Sequence, residues 1–477
     1  MTTTAPHELA LTREHMRALG HRVVDLVVDH LSGQRDRPVR RPADRADVGR
    51  LLAEAIPEDP ADPAGLLDLL AAEVLPRSLD LGHPGCFAFI PSANNFLGVL
   101  GDFLASGFNV SPGAWFVGAG ASAVEQVTAR WLAELLGMPA GSGGAFTPGG
   151  TVANLTAIAA ARHDRLGDDA AGAVLYCSDQ THPAVLRAGH VLGLGDGLRV
   201  LPTVDHRLDP DVVRREVEAD RRAGRRPFLV LANAGTTGAG AIDPLPELAR
   251  LCREHGLWLH VDGAHGAAAA LTARGRVALA GLAEADSIVI DPHKWLFQPY
   301  EIGCLLVRDP AALRRAFALD RFRARAGYLD LARPAPGEVD LSDHGVQFTT
   351  EARALKLWLS FKGFGVAAFR AAVDHGLDLA EHAADLVARH DELDLVAGPS
   401  LGIVCLRYRP RADRATDPDA VQTRIADTVN RGDRFLIATT TVNGLRALRL
   451  CTVNPRTTPA DVTSLLDDVV AAGRDIT

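Results

Sequence analysis

The chain has 477 residues, 47% hydrophobic and 23% charged, which is the make-up of a folded globular protein and excludes a disordered or fibrous one. A net charge of -9 with no basic block excludes a protein that binds nucleic acid by neutralising phosphates. No apolar run is long enough to cross a bilayer and the N-terminus lacks the apolar stretch of a secretory signal, so the expected setting is the cytoplasm, away from membranes.

Six scattered cysteines without a CxxC pair suit reduced thiols better than a disulfide framework or a zinc site. Arginine used in place of lysine, with abundant alanine, points by association to a GC-rich bacterial genome. In chain order, LTREHMRALGHRVVDLVVDHLSG reads as an amphipathic helix from Thr12 to Leu31. Thr12 caps its start, Met16, Leu19, Val23, Leu26 and Val27 share one face, and Gly33 ends it. The broken segment that follows leaves this helix without a neighbour, so a partner subunit is expected to cover it. Short helical pieces fill the rest of residues 1–82, read as a helical arm for dimerisation.

Between Gly172 and Asp309 the runs GAVLYCSD, LRVLPTVD, PFLVLANAG, LWLHVDGAH, DSIVIDPH and IGCLLVRD recur. Several are apolar throughout, as in strands covered on both faces, and the helical PLPELARLCREHG between two of them makes a strand–helix–strand unit. Residues 83–364 therefore read as a large α/β unit whose ligand site lies at the carboxyl ends of its strands. Residues 365–477 alternate helix and strand as a smaller α+β unit, closing in a helix capped by Thr458 with Pro459 in its first turn.

Lysine occurs only at 294, 356 and 362, yet Lys294 stands just past the apolar run Ser287–Ile290. Burial depresses a lysine pKa and gives an amine able to form a Schiff base. Asp262 ends another strand, and a carboxylate there suits a pyridinium nitrogen, as pyridoxal 5'-phosphate requires. TPGGTVANL offers a phosphate cradle, with Gly149 and Gly150 allowing close backbone approach, Thr151 a hydroxyl and the next helix an N-terminus. Thr236 or Thr237 adds a hydroxyl, His293 a donor, and His182 a ring able to stack on a flat cofactor. Each residue alone has a plainer reading: Asp262 as a loop cap, TPGGT as a turn, His182 as a surface residue. His260 and His265 flank Asp262, but HVDGAH is not a metal-ligand spacing, and no metal is expected. GAGASAVE does not complete a dinucleotide fingerprint.

Taken in order, HPGCFAFIPSAN, TPGGTVANL, YCSDQTH, HVDGAHGA and DPHKWLFQPYEIGC resemble the signature segments of the group II pyridoxal-phosphate-dependent decarboxylases, which include aromatic-L-amino-acid and glutamate decarboxylases. The resemblance runs from about His83 to LRLCTVNPRTT. It implies the type I fold of the pyridoxal enzymes: a mixed, mostly parallel sheet in the large unit, an N-terminal helical arm and a small C-terminal α+β unit. It further implies a homodimer with a shared active site and an amino-acid substrate. By that resemblance Lys294 carries the internal aldimine, Asp262 pairs with the ring nitrogen, His182 stacks on the ring and Ala264 packs on its other face. Gly150, Thr151 and His293 bind phosphate, Thr236 lies near the cofactor, and Phe89, Pro91 and Ser92 line the substrate pocket. Tyr328 resembles the loop tyrosine that protonates the substrate carbon after CO2 leaves.

Leu81, Gly113, Gly263, His265 and Glu351 depart from the relatives' usual residues and together imply a pocket reshaped for a larger substrate. Three readings follow. One is an L-amino-acid decarboxylase, acting on an aromatic or larger substrate and giving an amine. Another is a sister enzyme of bacterial specialised metabolism that couples decarboxylation to oxidative deamination, giving an aldehyde, or eliminates at Cβ of an amino-acid conjugate. The third, a non-catalytic binding protein, sits badly with Lys294 and Asp262 both present.

Overall fold

The computed structural model describes residues 9–41, 43–318, 334–410 and 417–477. Seven strands form its central sheet: β1 (Gly143–Thr147), β2 (Ala173–Ser178), β3 (Leu198–Leu201), β4 (Arg226–Asn233), β5 (Trp258–Asp262), β6 (Ser287–Ile290) and β7 (Gly303–Val307). They lie in the order β1-β7-β6-β5-β4-β2-β3. Strands β2 to β6 pair in parallel, and β7 runs antiparallel to both β1 and β6. This mixed, mostly parallel sheet is the one the type I fold requires.

Every residue of β2 and of β7 is buried, so the sheet is covered on both faces and its strands are apolar without alternation. Each buried Val, Leu or Ile there contributes roughly 1.5–3 kcal/mol. Six strands were legible in the sequence; β1, written GGAFT, was not. Its glycine has a steric cause, since a Cβ at Gly144 would lie 1.8 Å from the Leu305 carbonyl oxygen on β7. Register then fixes the site. Asn233 pairs with Asp262, and Asp262 with Val289, so β4, β5 and β6 open at one edge, with Asp291 the residue after β6.

A second sheet holds β8 (Leu393–Ser400), β9 (Ile403–Tyr408), β10 (Ala438–Val442) and β11 (Leu445–Cys451) in the antiparallel order β8-β9-β11-β10. The helices Val366–Ala388, Pro418–Arg431 and Pro459–Ile476 bury Leu379, Ile425 and Leu465 against Val404, Leu406 and Leu448 of this sheet. Thr458 caps the last of them: its hydroxyl accepts from Asp461 N at 3.2 Å and Asp461 Oδ2 accepts from Thr458 N at 2.8 Å. The segment after His83 belongs partly to this sheet. Phe87 N donates to Leu436 O and Phe87 O accepts from Cys451 N, and Phe87 belongs to the apolar core packed on this sheet. The chain thus touches the small sheet before it enters the large one.

The first helix spans Arg13–Ser32, with Thr12 Oγ1 accepting from His15 N at 3.2 Å. None of its residues is buried, and Met16 and Val28 face solvent within the single chain. Among the described residues no helix is long and apolar enough to cross a membrane.

Candidate active site

The carboxyl edge of the large sheet opens into a cavity of about 620 Å³, of the size that holds a cofactor and a small substrate. Lys294 lies on its wall with Asp262, Asp291 and His293. The turn from Gly149 into the helix Gly150–Leu166 closes one side, and His182 another. Phe89, 63% exposed, and Tyr300, 55% exposed, are also on the cavity wall.

Asp262 is held by neutral donors. Asn154 Nδ2 donates to its Oδ2 at 3.1 Å and Ala264 N to its Oδ1 at 3.1 Å. Asn154 comes from the helix that begins at the glycine turn, so one helix both shapes the turn and aims the acid. Sequence reasoning passed over Asn154; its signal was an amide one turn into the helix behind TPGGT.

Lys294 departs from expectation. Burial pulls its ammonium down, but the Asp291 and Asp262 carboxylates outweigh that, and its pKa is raised above the ordinary lysine value. The closest carboxylate is Asp291, whose Oδ2 stands 2.9 Å from Nζ. Asp291 follows an apolar strand much as Asp262 ends one, and sequence reasoning gave it no role at the site. Lys356, fully buried, pairs with Asp102 Oδ2 at 2.8 Å and is not among the residues lining the cavity. Scarcity of lysine therefore did not by itself single out Lys294.

The glycine turn fits a phosphate. Its helix has no side-chain cap, so the first amides have no side-chain acceptor, and the Thr151 residue sits at the cavity. A Cβ at Gly150 would come 2.9 Å from Asp291 Oδ2 and 3.3 Å from Ala264 Cβ, which leaves room here for backbone alone. His293 Nδ1 accepts from Ile302 N at 3.2 Å, placing its proton on Nε2. Burial lowers the pKa of His293 and of His182, against the pull of nearby Asp291 and Asp262, so both rings are neutral near pH 7. His182 Nδ1 caps its own helix, Pro183–Val191, by accepting from Ala184 N, which fixes the ring.

Several expected residues lie off the cavity wall of the single chain. The Thr236 hydroxyl accepts from Ala241 N within its own loop, and Thr237 lines the cavity in its place. Pro91 and Ser92 are buried off the wall; Ser92 Oγ donates to the His293 carbonyl, so it supports the site from behind. Phe89 and Ile90 line the cavity, with the Phe89 carbonyl held by Arg449 Nη1 at 2.7 Å. Tyr328 lies outside the described residues.

Of the five residues behind the reshaped-pocket reading, His265 alone lines the cavity of the single chain among the described residues. A Cβ at Gly263 would lie 2.6 Å from Ala267 Cβ, so packing demands that glycine. Leu81 packs against Val39 and Leu436. His265 stacks on Trp295 at 5.2 Å and donates from Nε2 to Leu401 O at 2.8 Å; burial lowers its pKa to about 3, so it is a neutral core ring.

A lysine and a strand-end carboxylate facing an anion cradle, on a type I sheet, define a pyridoxal-phosphate enzyme. The pyridoxal-dependent decarboxylase conserved domain matches residues 46–409. The aromatic-L-amino-acid decarboxylase of Bacillus atrophaeus is 40% identical over 472 residues, 98% of this chain and 97% of that protein. A phenylacetaldehyde synthase of Petunia hybrida is 30% identical over 411 residues, 83% of this chain and 80% of that protein. The solved structure of Oryza sativa TDC with PLP and tryptamine matches with a TM-score of 0.90 at 27% identity, over 99% of this chain and 100% of that one. The chain belongs to the pyridoxal-dependent decarboxylase family. Its cofactor is pyridoxal 5'-phosphate and its reaction is the decarboxylation of an amino acid, a carboxy-lyase activity.

Proposed function

We propose that this chain converts an aromatic L-amino acid to its amine, with Lys294 as the covalent anchor of the cofactor. The placement of Lys294 beside Asp262, across from the glycine turn, carries this reading. Bound pyridoxal phosphate supplies the electron sink for the pair left behind when CO2 departs. Asp262 offers a fixed carboxylate to a protonated ring nitrogen, because Asn154 and Ala264 hold both its oxygens in place. His182 and Ala264 present the surfaces for the two ring faces. Gly150, Thr151 and the Nε2 proton of His293 offer donors to phosphate.

Aromatic specificity is supported by Phe89 and Tyr300 on the cavity wall and by the Bacillus atrophaeus relative. Tyr328 is the proposed proton donor to the substrate carbon. A phenol can give up a proton in a closed site while staying neutral beforehand. An aldehyde-forming reading is favoured by one observation, the similarity to the Petunia hybrida synthase.

The working unit is proposed to be a homodimer in the cytoplasm, with residues 1–82 as the arm, 83–364 as the cofactor-binding unit and 365–477 as the small unit. The unburied first helix supports the dimer, as do the exposed Phe103, Phe108, Phe116 and Phe348. Six free, buried cysteines suit a reducing compartment. Incubation with a panel of aromatic L-amino acids, scored by mass spectrometry, tests the reaction: amine and CO2 support it, and aldehyde with ammonia favours the other reading. Tyr328→Phe should shift product from amine toward aldehyde while CO2 release persists; amine alone from the variant removes Tyr328 from the role.

A further inference from the structure

Asp291 and Asp262 share a site but not a set of contacts. Asp262 accepts from two neutral donors, whereas Asp291 Oδ2 faces Lys294 Nζ at 2.9 Å and His293 Nε2 at 3.7 Å. The other oxygen, Asp291 Oδ1, is buried with no hydrogen-bond partner among the described residues. Backbone encloses the carboxylate: a Cβ at Gly303 would lie 2.7 Å from Oδ1, and one at Gly150 2.9 Å from Oδ2. With its side chain only 2% exposed, such a half-partnered carboxylate is costly unless a cation compensates it. Lys294 is that cation, and the dependence is mutual.

We propose that Asp291 is a positioning residue for cofactor loading: it holds Lys294 as an ammonium on the cavity wall and so sets the pH at which the amine becomes free to react. Only the neutral amine has a lone pair to add to an aldehyde carbon. A C–N bond then forms, both amine protons pass to the carbonyl oxygen, and that oxygen leaves as water. An ammonium must first surrender its extra proton to solvent, so the fraction of free amine limits the rate.

The other groups facing Lys294 leave Asp291 the leading part. His182 and His293 have pKa values lowered by burial, and His265 is lowered to about 3, so all three are neutral. Burial raises the Tyr300 phenol, keeping it neutral as well. Asp262 acts on Lys294 through space while its oxygens serve Asn154 and Ala264. Arg187 and Glu301 line the same cavity, and Glu301 is paired with Arg353 at 3.1 Å. Asp291 also stands against the turn proposed for phosphate, where its charge repels a second anion.

The inference rests on Lys294 being the cofactor's anchor. Its test uses the full cofactor-free chain and pyridoxal without phosphate, with adduct absorbance followed across pH. Asp291→Asn should move the midpoint of the rate profile down by about one unit or more and speed capture near neutral pH roughly tenfold. The same variant should bind inorganic phosphate more tightly. A midpoint that does not move overturns the proposal, whatever happens to the amplitude. Competitive reductive methylation of Lys294 in the unaltered chain gives the amine's midpoint without any variant. A value above that of an ordinary lysine supports the proposal, and one at or below it overturns it. Borohydride trapping separates the two failures. Pyridoxal fixed to Lys356 or Lys362 sinks the anchor, whereas label on Lys294 with an unmoved midpoint sinks only the role of Asp291.

Discussion

Asn154 Nδ2 donates to Asp262 Oδ2 at 3.1 Å, while its Oδ1 stands 2.9 Å from His260 Nε2. The direction of each bond in this chain is fixed. The Asp262 carboxylate can only accept, so the Asn154 amide turns its NH2 toward it and its Oδ1 toward His260 Nε2, which carries the imidazole proton. His260 Nδ1 then accepts from Ser287 Oγ at 2.7 Å, and the same hydroxyl oxygen accepts from Trp258 Nε1 at 2.8 Å. Burial holds His260 neutral, its pKa lowered to about 3.

Asn154→Leu breaks this relay at its last step. It leaves His260 Nε2–H without an acceptor, at a cost of about 1–3 kcal/mol in stability. Turnover should fall roughly tenfold, about 1.4 kcal/mol in the barrier, because Asp262 loses one of its two fixed bonds. Denaturant melts and steady-state kinetics check both parts. A variant with full stability and turnover removes Asn154 from the positioning of Asp262.

Glu125 gives the fold a pH dependence of its own. Fully buried, it accepts from Phe146 N at 3.0 Å, and burial raises its pKa from 4.5 to about 7 against the hydrogen bond and nearby Arg353. Between those values the folded chain keeps a proton that the unfolded chain has lost. Stability from this group is therefore complete below pH 4.5 and falls as pH rises toward about 7. Glu125→Gln keeps an acceptor for Phe146 and removes the ionisation. Its melting temperature should vary less than the parent's across that window and exceed it at pH 8. Parallel profiles for the two proteins count against this assignment.

Much of this was legible because it follows from periodicity and strand ends. Apolar runs gave six strands of the large sheet, and the polar residues closing β5 and β6 marked the cavity. What was missed depended on three-dimensional neighbours. β1 was hidden by Gly144, whose reason lies across the sheet at Leu305. The Lys294 pKa was misjudged because burial is readable from a strand, whereas Asp291 at 2.9 Å is a matter of side-chain placement. The same holds for Thr236 and Thr237: adjacent in sequence, they differ in which one the loop bonds of Thr236 leave free to face the cavity.

The first helix buries none of its residues in the single chain, yet it carries an apolar face. Deleting the residues before Arg35 should cost the dimer, seen as a smaller mass in sedimentation or as aggregation. Arg35 itself is retained because it pairs with Asp461 at 2.9 Å. A well-behaved, active monomer from the truncated chain contradicts the proposed arm.

The central claim is that Lys294 holds the cofactor, and reduction with borohydride followed by peptide mapping tests it most directly. The purified holoenzyme should be yellow, and the reduced label should appear on the peptide containing Lys294. Lys294→Ala should lose turnover while keeping some cofactor through the glycine turn. Label on Lys356, which is committed to Asp102, or on exposed Lys362 contradicts the account.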